Sequence, residues 1–202
     1  MSPWTDFWRG RGGNSLAIGG LAALAGALLG GGRGASRGAL GGGLMAILGS
    51  LAYSALQARA QSGASAAVPP PVGLYEPSTP AEEQALDEAA AIVVQAMINA
   101  AKADGQVDAT ERARILGRLV EDGADAEAQA YVEAELSKPL ATAALVEAVA
   151  GRPDLAIQVY GASLLAIDID TPAETDYLRS LANALQLDAA TVASLHEAFG
   201  VH

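Results

Sequence analysis

The 202-residue sequence contains no cysteine. That excludes disulfides, thiolate nucleophiles, zinc ribbons and iron–sulfur ligation, and leaves the compartment open. Histidine is nearly as scarce: His196 and His202 are the only two, both at the C-terminal end. Two histidines confined to one end argue against a histidine-built metal site or a Ser-His-Asp triad. Aromatic residues make up 4% of the chain although 51% of it is hydrophobic, so alanine and glycine fill much of the difference. That balance favours closely packed helices over a sheet. No segment alternates like a strand, and only "LLAIDID" forms a short β-like run. Phosphate loops are missing as well, because "GGNSLAIGG" and "GGGRGASRG" have the glycines without a lysine or a preceding strand.

Charge is absent locally and lopsided globally. Between Ser15 and Gln57 there is no acid, and Arg33 and Arg37 are the only charged residues. Residues 1–75 carry five arginines against Asp6, whereas the remainder carries seven basic and 22 acidic residues, for a net charge of −11. The acidic part would repel nucleic acid phosphates, so no nucleic acid partner is expected. The basic part suits an anionic membrane surface.

The first third is glycine-rich and apolar. Arg33 and Arg37 divide it into "SLAIGGLAALAGALLGGG" and "ALGGGLMAILGSLAYSAL". A bilayer core needs about 20 residues of helix, so each run is marginal for a full span. Gly26, Gly30, Gly34, Gly38 and Gly42 recur every four residues, and Ala22, Ala46, Ser50 and Ser54 extend the register. On a helix this row is a smooth stripe that another helix can approach closely, as in a homo-oligomer. Trp4, Phe7 and Trp8 beside Arg9 and Arg11 form an interfacial anchor, with Tyr53 and Arg59 as candidates for the far boundary. A two-span hairpin around "GRGASRG" and a single span near 39–57 are both open, and a cleaved signal is a weaker fit. Residues 1–60 are therefore expected to be a membrane-anchoring segment. Residues 61–79, rich in proline, serine and alanine, are expected to be a linker that holds the rest away from the membrane.

Residues 80–202 are expected to form an acidic all-α domain, a compact bundle of about seven short helices. "TPAE" makes Thr79 an N-cap, Pro80 the first helical residue and Glu82 the N3 partner of a capping box. Apolar periodicity predicts helices at about 80–103, 109–122, 125–137, 140–149, 153–168, 172–186 and 188–199, with breaks at Gly123, Pro139, "GRP" and Pro172.

The chemistry-bearing stretch is "AKADGQVDATE". Asp104, Gly105, Val107, Asp108 and Glu111 match the second half of a calcium-binding EF-hand loop, but its first and third positions fall on Ala100 and Lys102. An ammonium in place of a carboxylate excludes a true EF-hand. "DATE" also reads as a capping box with Asp108 as N-cap and Glu111 at N3, and "TPAE" at 171–174 repeats the device with Glu174. Capping leaves Asp104, Asp168 and Asp170 unaccounted for. "AKADGQVDATERARIL" and "LLAIDIDTPAETDYL" echo each other: helix end, aspartate, second aspartate, glutamate, new helix. Two such turns brought together would concentrate carboxylates that suit calcium, magnesium or manganese.

At these residues the chain resembles the YebE-type family of uncharacterised bacterial inner-membrane proteins, whose C-terminal domain is related to the tellurite-resistance protein TerB. The similarity covers about residues 82–199, and the paired "ADGxxDxxE" and "AIDxDTxxE" patterns carry it. It implies a seven-helix TerB-like fold, an inner-membrane location and a divalent-metal site at Asp104, Asp108, Glu111, Asp168, Asp170 and Glu174. The second copy has Ile169 where the first has Gly105.

These readings converge on a non-enzymatic, membrane-anchored adaptor or sensor that binds a cation or a protein partner, with envelope or metal stress as the setting the resemblance suggests. The competing expectation is a soluble divalent-cation-binding module with a disordered N-terminal tail. No nucleophile or phosphate loop supports an enzyme.

Overall fold

The computed structural model describes residues 40–61, 69–105, 107, 109–121, 126–167 and 169–201. Among them the chain is all-helical, with eight helices and no strand: α1 (Leu40–Gln61), α2 (Pro80–Ala100), α3 (Ala109–Glu121), α4 (Ala126–Leu136), α5 (Thr142–Ala148), α6 (Pro153–Ala166), α7 (Pro172–Ala184) and α8 (Ala189–Phe199). The seven helices expected from periodicity are all present. α2 stops at Ala100, three residues short of the expected end, because the chain tightens into turns in which Lys102 N–H donates to the Asn99 carbonyl (3.1 Å) and Ala103 N–H to that of Ala100 (3.0 Å).

Helix α6 is the axle of the bundle. Every residue from Leu155 to Leu164 is buried, as suits a helix whose surface is apolar nearly all round. The second half of α2, Ala89 to Ala100, is equally enclosed and packs against α6. Helices α1, α7 and α8 also pack on α6, α4 and α5 lie against α2, and α3 pairs with α4. Small residues make the close crossing possible: Ala89, Ala96 and Ala162 are completely buried.

Helix α1 falls within the segment expected to anchor the chain in a membrane, yet it shares this core. Leu44, Met45, Leu48 and Ala52 form its buried stripe and join one hydrophobic cluster with α2 and α6. Two glycines set how closely it docks. A Cβ on Gly161 of α6 would lie 3.1 Å from Leu48 Cδ2 and 3.4 Å from Phe199 Cε2. A Cβ on Gly49 would lie 2.9 Å from the Leu74 amide nitrogen. Residues 71–74 therefore lie on α1. Gly73, at φ +89°, turns them there, and the Gln158 side-chain amide donates to the Val72 carbonyl at 3.0 Å. At the other end, Arg59 lies 3.7 Å from Asp188, the N-cap of α8.

Among the described residues no helix is long and apolar enough to cross a membrane. The first apolar run, residues 15–32, the aromatic anchor at Trp4, Phe7 and Trp8, and Gly26, Gly30, Gly34 and Gly38 of the stripe lie outside the described residues.

Candidate functional site

The two acidic turns begin from different helix ends. In the first, Gly105 at φ +137° lets the chain reverse after α2, its N–H donating to the Lys102 carbonyl at 3.1 Å. Buried Val107 pins the loop to the core, and Asp104 is left exposed. Asp108 and the side chain of Glu111 lie outside the described residues, although Glu111 is in the first turn of α3. In the second, α6 passes into extended backbone at Ile167 (φ −114°, ψ 130°), which is buried, so Ile169 and Asp170 emerge on the surface. Asp168 lies outside the described residues.

Glu174 is committed to the backbone. Its Oε2 accepts from the Thr171 N–H (2.9 Å), the Thr171 hydroxyl (2.8 Å) and the Asp170 N–H (3.1 Å), while its own N–H donates to Thr171 Oγ1 at 3.3 Å. Burial alone would raise the Glu174 carboxyl, but these hydrogen bonds from Thr171 and Asp170 outweigh it and hold the group below its ordinary value. The same four residues at the start of α2 supply an internal control. There Glu82 Oε2 accepts from Ser78 N–H (2.8 Å), Ser78 Oγ (2.8 Å) and Thr79 N–H (3.1 Å), and its carboxyl is also lowered, first of all by the Ser78 N–H. No second acidic turn is needed to complete that cap. "TPAE" is thus a self-sufficient helix start in both places.

Among the described residues, no group of three or more histidine, cysteine, aspartate or glutamate side chains is placed to hold a metal ion. Of the six candidate ligands, the described set contains Asp104 and Asp170 as exposed carboxylates and Glu174 as a capped one. A hard cation takes six to eight oxygens, and these three side chains do not form such a cage.

Sequence reasoning missed a polar seam along α2. Gln95 and Asn99, at i and i+4, share one face of α2, Lys102 follows in the turn after the helix, and all three are buried. Gln95 Oε1 accepts from the Tyr131 hydroxyl at 3.3 Å, and Asn99 Oδ1 accepts from the Ala141 N–H at 3.5 Å. Lys102 Nζ donates to the carbonyls of Glu135 (3.0 Å) and Lys138 (3.2 Å), closing the C-terminal end of α4. Burial pushes the Lys102 ammonium below its usual range, with the Glu135 carboxylate opposing and the like charge of Lys138 adding to the shift. Glu135 is itself buried and pairs with Lys138 Nζ. The residue that spoils the calcium-loop pattern is therefore the bundle's own internal cation. Its helical spacing from two amides was the available signal.

Among the described residues, three buried polar atoms have no hydrogen-bond partner: Asn99 Nδ2, Gln158 Oε1 and the Tyr177 hydroxyl. Tyr177 is pushed up to about 12, chiefly by burial, with the Ser163 hydroxyl opposing slightly. Ser163 Oγ donates instead to the Val159 carbonyl at 2.9 Å. The Tyr160 hydroxyl lies 2.9 Å from His196 Nε2, joining α6 to α8 with the two rings stacked at 27°.

An all-α bundle wound round one buried helix, with a capped acidic turn at the surface before α7, is the class these elements define. The chain belongs to the family described as protein of unknown function (DUF533), whose family model matches residues 11–199. This is a TerB-like family, so the coarser part of the resemblance in the acidic motifs holds. No curated protein and no solved structure matches the chain.

Proposed function

We propose that this protein is a non-enzymatic, membrane-associated adaptor in which residues 1–39 contact the bilayer and the bundle, α1 included, presents an acidic surface to a partner. The supporting observation is the docking of α1. Its apolar stripe packs on α6, so the run that resembles a second membrane span has a home in the protein core. Membrane contact then falls to the aromatic and arginine-bearing segment before it, whose Trp4, Trp8, Arg9 and Arg11 suit an anionic interface. The inner-membrane location rests on the YebE-type resemblance.

A binding role is supported over a catalytic one because buried Lys102 closes a helix end and half-buried Glu174 caps another. Cation binding at the acidic turns belongs to the same proposal and rests on Asp104 and Asp170 together with Asp108 and Asp168. Flotation of the full-length chain with anionic and with neutral vesicles tests the membrane reading. Preferential flotation with the anionic set is expected, and recovery in the bottom fraction with both overturns it. Titration with calcium, magnesium and manganese, followed by calorimetry, tests the cation. A melting temperature unmoved by all three leaves capping as the whole role of these turns.

A further inference from the structure

Gln158 is a polar exception on the axle helix. It is completely buried on α6, and among the described residues its side-chain amide makes one hydrogen bond, from Nε2 to the Val72 carbonyl at 3.0 Å, while Oε1 has no partner. A buried acceptor left unmet is a penalty that an apolar side chain of similar size would not carry, so an amide here is a poor choice for stability alone. What the amide does is catch the turn at residues 71–74. That turn is closed by the Leu74 N–H, which donates to the Pro71 carbonyl at 3.2 Å, and it covers α1 at Met45: a Cβ on Gly73 would lie 2.9 Å from the Met45 carbonyl oxygen and 3.0 Å from Met45 Cβ. Pro71 is buried, Val72 and Leu74 are half-buried, and the chain returns to solvent at Tyr75, 71% exposed.

We propose that residues 71–74 are a strap that opens while the bundle stays folded, with Gln158 as its catch and the groove between α1 and α6 at Met45 as what it uncovers. This rests on the reading of α1 as part of the bundle. Closed, the strap is held to α6 by a hydrogen bond between neutral groups, about half as strong as a charge-assisted one. Open, it admits water to both ends of the Gln158 amide, because Nε2 and Oε1 belong to one small planar group. The acceptor that is unmet in the closed form then gains a partner, so the penalty on the closed state favours release. The seat is nonetheless a defined one, since Gly49 and Gly73 supply the bare backbone that lets Leu74 and Met45 come so near. Beside it, α1 meets α6 through a separate contact, Leu48 against Gly161, in which the strap has no part. Opening of the strap and undocking of α1 are therefore distinct events.

The absence of native cysteine lets single thiols report each event in the full-length chain. Met45→Cys places a thiol under the strap, and Ala52→Cys places one at a completely buried position of α1. Reaction with a water-soluble maleimide, without lipid, should be at least about tenfold faster at Met45→Cys and insensitive to low urea, whereas the rate at Ala52→Cys should climb with urea. Gln158→Met removes the catch at similar volume. It should speed the labelling of Met45→Cys by a further three- to tenfold or so, leave Ala52→Cys unmoved, and keep the melting temperature unchanged or higher. Hydrogen exchange of the unsubstituted chain repeats the comparison: the Leu74 amide should exchange through an opening insensitive to urea, and the amides of α6 should not. Labelling that is equally slow and equally urea-dependent at both sites overturns the strap as a separate element. A lower melting temperature in Gln158→Met, with labelling of Met45→Cys unchanged, overturns Gln158 as the catch. Fast labelling at both sites without urea overturns the docking of α1 itself, and so separates failure of that reading from failure of the strap.

Discussion

The sharpest test of α1 as part of the bundle is a double-mutant cycle between Leu48 and Gly161. Leu48 is 1% exposed, and truncating a leucine so enclosed removes about 2–5 kcal/mol. At about 2–4 °C per kcal/mol for a chain of this size, a loss near 3 kcal/mol lowers the melting temperature by about 6–12 °C. Gly161→Ala has two opposing effects. An alanine in the middle of a helix gains about 1 kcal/mol over glycine. Its methyl, however, would sit 3.1 Å from Leu48 Cδ2, tight enough to force a shift that typically costs about 1–3 kcal/mol. Alone, Gly161→Ala is therefore neutral to destabilising. In the Leu48→Ala background the obstructing methyl is gone, and the same substitution should stabilise by about 1 kcal/mol. Urea unfolding of the four full-length proteins gives the coupling directly. If Leu48→Ala shifts stability by less than about 0.5 kcal/mol and the two changes simply add, α1 does not dock on α6 in solution.

Lys102→Met removes two charge-assisted hydrogen bonds to the carbonyls of Glu135 and Lys138 and should destabilise the bundle by about 1.5–3 kcal/mol, measured by chemical denaturation. Because burial lowers the Lys102 pKa below its value of 10.5 in the unfolded chain, the unfolded state binds that proton more tightly, so this group's contribution rises with pH from the lowered value up to 10.5. A wild-type-minus-variant difference that falls over that alkaline window contradicts the assignment. Thr171→Ala deletes the N-cap of α7 and should remove about 0.5–2 kcal/mol. Glu174, held below 4.5 in the folded state, gives stability that is present above 4.5 and lost as pH falls through its folded value, and Thr171→Ala should flatten that acid limb in pH-dependent melting. Tyr177→Phe deletes a buried hydroxyl without a partner and should leave stability unchanged or raise it by up to about 1 kcal/mol, whereas a clear drop in melting temperature would show that the hydroxyl is bonded.

Local signals carried most of the fold. Thr79 and Thr171, each followed by proline and then by glutamate at N3, announce a helix start within the span of four residues, and both capping boxes form as written. The apolar spacing of α2 and the clustered leucines of α6 mark the helices that end up deepest. What was not legible depends on contacts between distant residues. Nothing near Lys102 in sequence says that carbonyls 33 and 36 residues later will receive its ammonium. Asp170 and Glu174 read equally well as metal ligands and as a cap, and only the three short contacts to Glu174 Oε2 show where that carboxylate is engaged.

Glycine spacing was the most ambiguous signal, because lipid and protein make the same demand of a helix. Both reward a surface without side chains wherever another backbone must come near. Among the described glycines of α1, Gly49 makes a close contact; it falls outside the four-residue stripe and faces the Leu74 backbone. The stripe itself, through Ala46, Ser50 and Ser54, runs along the opposite, outward face. One helix therefore carries two smooth surfaces, and the bundle fills one of them. A glycine in water weakens a helix by about 1 kcal/mol relative to alanine, and α1 contains Gly41, Gly42, Gly43 and Gly49. The close approach of the Leu74 backbone explains Gly49.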